Sequence, residues 1–331
     1  MPTKERNSAF ELLRIIAMSF IVVWHISVHA QQGELESHNY VIAICATGVN
    51  LFVLISGYFG IRLYWKSLLT LVSTIAFFNL AIIIGKWSAT KTLPQPCEIK
   101  SLLAPVTNTH WWFINCYFHL MLLSPVINIV LNKASDRQYK YLLGMLLFMS
   151  CISGFVFGNS INLTGYNTFH FVTIYVVGDA IKRLNLPAKL PTKKYLALYI
   201  TCVLGLLVYA MAGIPGSTNY NNPLVLAGAV SLFCLIARLN FHNKTVNYVA
   251  TFMLPVYLIQ DSSIGFSAYG YLYRKGQIMN FQGFDYFAII ALYILALLGS
   301  AFMLDTIRRF ILKRPINSIS RTLEKKANIF G

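Results

Sequence analysis

Apolar runs of about 18 residues or more recur along this chain, and the hydrophilic stretches between them are short. A run of that length crosses the ~30 Å hydrocarbon core of a bilayer as a helix. Only 11% of the 331 residues are charged and 56% are hydrophobic, whereas a soluble domain carries about 25% charged residues. The pattern predicts an all-α fold, a polytopic transmembrane helical bundle. No hydrophilic segment is long enough to fold alone, so residues 1–331 are expected to form a single integral-membrane domain.

The runs place about ten helices, at residues 10–28, 41–60, 67–85, 112–131, 139–157, 168–184, 195–213, 223–239, 246–264 and 285–312. Pro255 is expected to kink the ninth. Lys4 and Arg6 before the first run, and Val28-His29-Ala30 after it, have the outline of a signal peptide. The run is long for that role and contains Arg14, so a retained first span is expected. With the N-terminus inside, 22 of the 27 Lys and Arg fall on the cytoplasmic side and 5 outside. One helix more or fewer would spoil that separation, so both termini are expected to be cytoplasmic.

The formal net charge of +16 sits in short clusters between apolar runs, with no basic arm or aromatic-basic stripe. This is a topology signal and argues against nucleic acid as a partner. Cys45, Cys97, Cys116, Cys151, Cys202 and Cys234 are scattered without metal-site spacing. All but Cys97 lie in or near apolar segments and read as small core residues, and no metal is expected.

Ionisable residues inside a membrane segment are expensive and mark function by default. The first run carries Glu11, Arg14 and His25. Eleven helical steps make three turns plus ~20°, so Arg14 and His25 share one stripe, ~16 Å apart along the axis. Neutral imidazole accepts a proton near pH 7, as activation of a hydroxyl requires. Arg14 matches a phosphate entering from the cytoplasm; an ion pair with Glu11 or a snorkelling topology signal are the alternatives. Arg62 and Lys66 follow the second run and, with Arg14, would make a cationic mouth; a plain positive-inside pair is the alternative. His110, Trp112 and Tyr117, opening the fourth helix, suit sugar faces and hydroxyls, as they also suit an interfacial aromatic belt. Asp261, near the end of the ninth helix, is a candidate to orient His25 or bind a sugar hydroxyl; a solvated helix end is the alternative.

Together these residues resemble the membrane-bound acyltransferase-3 family of bacteria, which includes polysaccharide O-acetyltransferases. Arg14 and His25 match its first-helix pattern of an Arg and a His eleven positions apart. Phe52-Val53-Leu54-Ile55-Ser56-Gly57-Tyr58 followed by Arg62 is similar to a second family segment. His110-Trp111-Trp112-Phe113 is similar to a third, and Thr251 to Gln260, containing Val256-Tyr257-Leu258-Ile259, to a late one. That late segment often ends in His where this chain has Gln260 before Asp261, so no catalytic role passes to Gln260. The outer esterase-like domain fused to some members is not seen within these residues, so no serine relay is carried over.

The resemblance implies transfer of an acyl group, usually acetyl from acetyl-CoA, to a hydroxyl of a cell-surface polysaccharide or its lipid-linked precursor. The setting would be a bacterial inner membrane. The donor phosphates would rest on Arg14, Arg62 and Lys66, with His25 as general base and no metal. Acyl-CoA, the glycan and membrane lipid are the expected partners. A transporter or flippase for a lipid-linked sugar is the reading from another class, but paired repeats and broken helices are not found. A glycan polymerase would need a larger outer loop.

Overall fold

The computed structural model describes residues 7–29, 37–107, 111–278 and 284–326. Among them every regular element is helical. In order these are α1 (Ser8–His29), α2 (Ser37–Cys45), α3 (Gly48–Phe59), α4 (Trp65–Thr90), α5 (Pro96–Leu103), α6 (Trp112–Lys133) and α7 (Asp136–Leu147). After α7 come a π-helical stretch (Phe148–Val156) and a 3-10 turn (Ser160–Asn162). Then follow α8 (Thr168–Arg183), α9 (Leu186–Lys189), α10 (Thr192–Met211), α11 (Pro223–Ala237), α12 (Lys244–Ala250), α13 (Met253–Gln260), α14 (Ser263–Ile278) and α15 (Phe284–Lys326). Among the described residues seven helices are long and apolar enough to cross a membrane, or eight if one bent pair makes a single span. The chain is therefore an all-helical, multi-pass membrane protein. Helices α8 and α11 stand where spans are expected but are only 16 and 15 residues long.

Four parts of the helix map differ from expectation. The second span, Tyr40–Phe59, is two helices with a break at Ala46–Thr47. Just past the break Gly48 meets α1, where a side chain would press on the Ala17 carbonyl. The ninth span is interrupted on both sides of α13, and the chain bends by 72° after Gln260, not at Pro255. That proline is the third residue of α13, where the missing N–H has no intrahelical partner to lose. Helix also fills stretches between the expected spans: α4 runs on to Thr90, α5 follows, and α14 continues to Ile278. Finally, α15 continues to Lys326 rather than ending near 312.

The chain forms two compact units. The first comprises Met1–Val28, Glu34–Ile61 and His119–Thr251; the second comprises His29–Gly33, Arg62–Phe118 and Phe252–Gly331. In the first, α3 and α8 cross at backbone contact. A side chain on Gly57 would overlap the Tyr175 carbonyl, and one on Gly178 would overlap that of Leu54. Lipid offers no hydrophobic drive between helices, so such small-residue crossings supply close packing in its place. Local polar residues set the helix starts: Ser135 and Gln138 form a capping box on α7, and Asn167, Asn222 and Asn243 cap α8, α11 and α12. Each satisfies one of the N–H groups that a helix start leaves without partners. The head of α1 is tied down as well, because the Asn243 N–H donates to Ser8 Oγ at 2.8 Å and the Ser8 N–H to the Phe241 carbonyl at 2.9 Å.

In the second unit α4 packs along α15, and α13 packs against both. Asn79, buried in α4, donates to the carbonyl and hydroxyl of Ser101 at 3.0 and 2.8 Å and so fastens α5. Lys86 adds an ion pair to Glu98 at 2.7 Å. Five of the six cysteines are buried and Cys97 is exposed, in keeping with their places in the sequence.

Candidate active site

Arg14 and His25 lie on one unbroken helix, α1. Ala9, Leu13, Ala17, Ile21 and His25 are buried at four-residue intervals, so the imidazole closes the stripe by which α1 packs. His25 is 8% exposed, and the Trp24 ring meets it edge-on at 5.1 Å. Arg14 stands beside that stripe with its side chain 32% exposed. Its Nη1 donates to both carboxylate oxygens of the buried Glu11, at 2.8 and 2.7 Å. Of the readings open for Arg14, the ion pair is thus formed, and it engages one of the three guanidinium nitrogens. Among the described residues Nη2 and Nε have no acceptor, so a planar edge remains for an anion.

Arg62 follows a tightly specified turn. Gly60 closes α3 with φ +74°, a conformation that suits glycine, and its N–H returns to the Ser56 and Gly57 carbonyls. The Ile61 N–H then donates to the Tyr175 hydroxyl at 2.8 Å. That hydroxyl donates to Asn128 Oδ1 at 2.7 Å, and Asn128 Nδ2 donates to the Ile61 carbonyl at 2.9 Å. This closed ring of three hydrogen bonds holds α3, α6 and α8 of the first unit around one peptide. Arg62 and Lys66 are both exposed, with Lys66 in the first turn of α4.

The aromatic candidates belong to the second unit. Trp112 and Tyr117 are half-buried on the first turns of α6. Phe113 stacks on Tyr117 with ring centroids 5.9 Å apart and 10° between planes, and meets Tyr257 at 5.6 Å. His110 lies outside the described residues. Asp261 is half-buried just after α13, and its carbonyl accepts from Trp111 Nε1 at 2.6 Å. Trp111 is fully buried. It is therefore the aromatic that fixes this corner, whereas the sequence singles out its neighbours. Asp261 and His25 belong to different units.

A second polar cluster escapes a reading by motif. His170, fully buried on α8, has Nε2 at 2.9 Å from Asn50 Oδ1, while Asn50 Nδ2 donates to the Tyr220 carbonyl at 2.9 Å. Because Asn50 Oδ1 only accepts, His170 is the Nε2–H tautomer and its Nδ1 faces Ser150 and Asn162 as an acceptor. Asn162 donates to Ser150 Oγ at 2.6 Å, and Asn221 donates to the Ser150 carbonyl at 3.2 Å. The π-helical turn around Ser150 spaces its backbone for this. The sequence signal was present as several Asn, Ser and His in apolar surroundings, with nothing to pair them across 170 positions of chain.

The second unit also carries an acid–base knot on α15. Asp305, 1% exposed, accepts from Arg308 Nε at 2.7 Å and from Arg309 Nε at 2.6 Å. The sequence counted both arginines as topology charges.

Comparison with curated proteins and with solved structures gives no match. A family model described as "Acyltransferase domain" matches residues 7–306, which takes in α1 with Arg14 and His25, the Gly60 turn with Arg62, the start of α6, and α13. The chain belongs to the acyltransferase-3 family.

Proposed function

We propose that this membrane acyltransferase moves an acetyl group from acetyl-CoA to a hydroxyl of a cell-surface glycan or its lipid-linked precursor. The observation that carries the reading is the unbroken helix α1, with a buried imidazole ~16 Å along the axis from a guanidinium that keeps an edge for phosphate. His25 takes the proton of the acceptor hydroxyl as its oxygen attacks the thioester carbonyl. The C–S bond breaks, and the CoA sulfur leaves with the proton that His25 returns. Arg14 holds a donor phosphate, and Arg62 and Lys66 are assigned to the same donor from their place in the sequence. Trp112 and Tyr117 offer ring faces to the sugar, with His110 beside them in sequence, and Asp261 accepts a hydrogen bond from a sugar hydroxyl. No step calls for a metal.

The test uses the purified full chain in nanodiscs with acetyl-CoA and an acetyl-free surface glycan. Release of free CoA thiol that depends on the glycan supports the reading. An intact thioester with translocation of a lipid-linked glycan would place the chain among transporters instead.

The same reading puts the protein in a bacterial inner membrane with ten spans and both termini cytoplasmic, since Lys and Arg partition 22 to 5 on that arrangement. Cysteines introduced at Ser318 and Thr192 are then protected from an impermeant thiol reagent added outside. Labelling of either in intact cells rejects the arrangement.

A further inference from the structure

Helix α15 is 43 residues long, ~64 Å at 1.5 Å per residue, about twice the thickness of a bilayer core. A single buried stripe runs along it through Leu297, Ala301, Asp305, Arg308, Ile316 and Ser320. Two charged residues therefore occupy positions that elsewhere on the stripe are apolar or small. Asp305 is 1% exposed and the side chain of Arg308 is 8% exposed.

The knot sets one acid between two arginines. One carboxylate serves two guanidiniums, each through Nε, with Oδ1 taken by Arg308 at 2.7 Å and Oδ2 by Arg309 at 2.6 Å. Arg309 also lies over the Phe252 ring at 5.3 Å. Among the described residues Asp305 is the only partner of Arg308, so its two terminal nitrogens carry no protein acceptor. Neither α4 nor α13, which pack on α15, adds an acid. Residues 306–323 contain none, α13 has no charged residue, and α4 brings Lys66 in its first turn. The terminal nitrogens of Arg308 are not fully enclosed, so a ligand can reach them.

An anion completes the arrangement. A guanidinium fixed at Nε presents its terminal nitrogens as a rigid planar fork, which matches two oxygens of a phosphate better than any point charge does. We infer that Arg308, held by Asp305 with Arg309 beside it, is a binding site for a phosphate-type anion. The chemistry is shared by the headgroup of an anionic phospholipid and by a soluble phosphate or diphosphate. The inference goes beyond the acetyl-transfer reading and does not depend on it, because its test contains neither donor nor acceptor.

The test has two arms, each with the full chain in nanodiscs. In neutral phosphatidylcholine, inorganic pyrophosphate is titrated while the thermal transition is followed. In discs containing phosphatidylglycerol, the lipid retained after release is counted by native mass spectrometry. The site predicts a saturable rise in transition temperature in the first arm, or retained phosphatidylglycerol in the second. Arg308→Gln should weaken either effect ten-fold or more, Arg308→Lys should recover part of it, and Lys325→Gln on the same helix should leave it unchanged. A response to pyrophosphate identifies a soluble ligand, and retention of lipid alone identifies a headgroup. Should Arg308→Gln fail to fold, the wild type still decides: phenylglyoxal modification of Arg308 must slow in the presence of whichever anion binds. Absence of binding in both arms, equal binding by a folded Arg308→Gln, or unprotected Arg308 overturns the site.

Discussion

Arg14 bonds to Glu11 through a single nitrogen, Nη1, which lies 2.8 and 2.7 Å from the two carboxylate oxygens. The pair sits one turn apart on α1, with Glu11 only 4% exposed. This geometry allows Arg14 two roles, and they separate by mutation. Arg14→Ala removes a charged hydrogen-bond partner from a buried carboxylate and should lower stability by about 1–3 kcal/mol. Adding Glu11→Gln should restore most of that loss, because the remaining group is neutral. It should not restore the apparent constant for acetyl-CoA, which rises in both variants if Arg14 holds the donor. Calorimetric or fluorescence melting beside donor titration reads the two effects. A double variant with normal donor affinity would leave Arg14 only its structural role.

The α3–α8 crossing gives a sharper stability contrast. Gly57→Ala drives a methyl into the Tyr175 carbonyl, a rigid backbone atom. Overpacking of this kind costs about 1–3 kcal/mol or more. Gly144 on α7 has nothing within 4 Å of a built Cβ, so Gly144→Ala should be neutral or gain up to about 1 kcal/mol from helix propensity. Equal melting temperatures for the two variants would mean that α3 and α8 do not touch as described.

Glu98 supplies a pH-dependent contact outside the spans. Its carboxylate is held below the ordinary value of 4.5, first by the hydrogen bond from Lys86 and then by the backbone N–H of Gln95. A lowered folded value means that its contribution is fully present above 4.5 and fades as the pH falls through that lower value. The pair is partly exposed, so about 0.3–1 kcal/mol is expected. A fluorophore on the exposed Cys97 reports the docking of α5. Its anisotropy should fall on acidification, and Glu98→Gln should already show the lower value at neutral pH. A pH profile identical in Glu98→Gln would assign the change to another group.

How far the sequence carried can be read from particular residues. Hydropathy alone located most of the helices, because a backbone in lipid has to close its own hydrogen bonds. Helical periodicity predicts one stripe for Arg14 and His25; α1 is unbroken between them, with Arg14 beside the buried stripe that His25 closes. Helix breaks were harder to read. Pro255 is the expected kink, yet the 72° bend falls at Asp261–Ser262, where no proline marks the turn. The extension of α15 to Lys326 is hidden because its second half is polar and its buried residues lie three to eight positions apart. Hardest were pairings across long separations: Trp111 with Asp261, His170 with Asn50, and Tyr175 with Asn128 and Ile61. Each joins residues that are ordinary in their local context, and only the fold makes partners of them.

His25 is the residue on which the proposed chemistry turns. The decisive measurement is acetyl transfer per folded molecule of His25→Ala, made beside acetyl-CoA binding by the same preparation. Alanine suits a helix and removes the proton acceptor, so the variant should insert and bind the donor, whose proposed phosphate contact on Arg14 lies about three turns away. Transfer should fall 10²–10⁴-fold, the usual cost of losing a positioned base. Normal turnover per folded His25→Ala molecule would contradict the account and leave His25 as a core residue of α1.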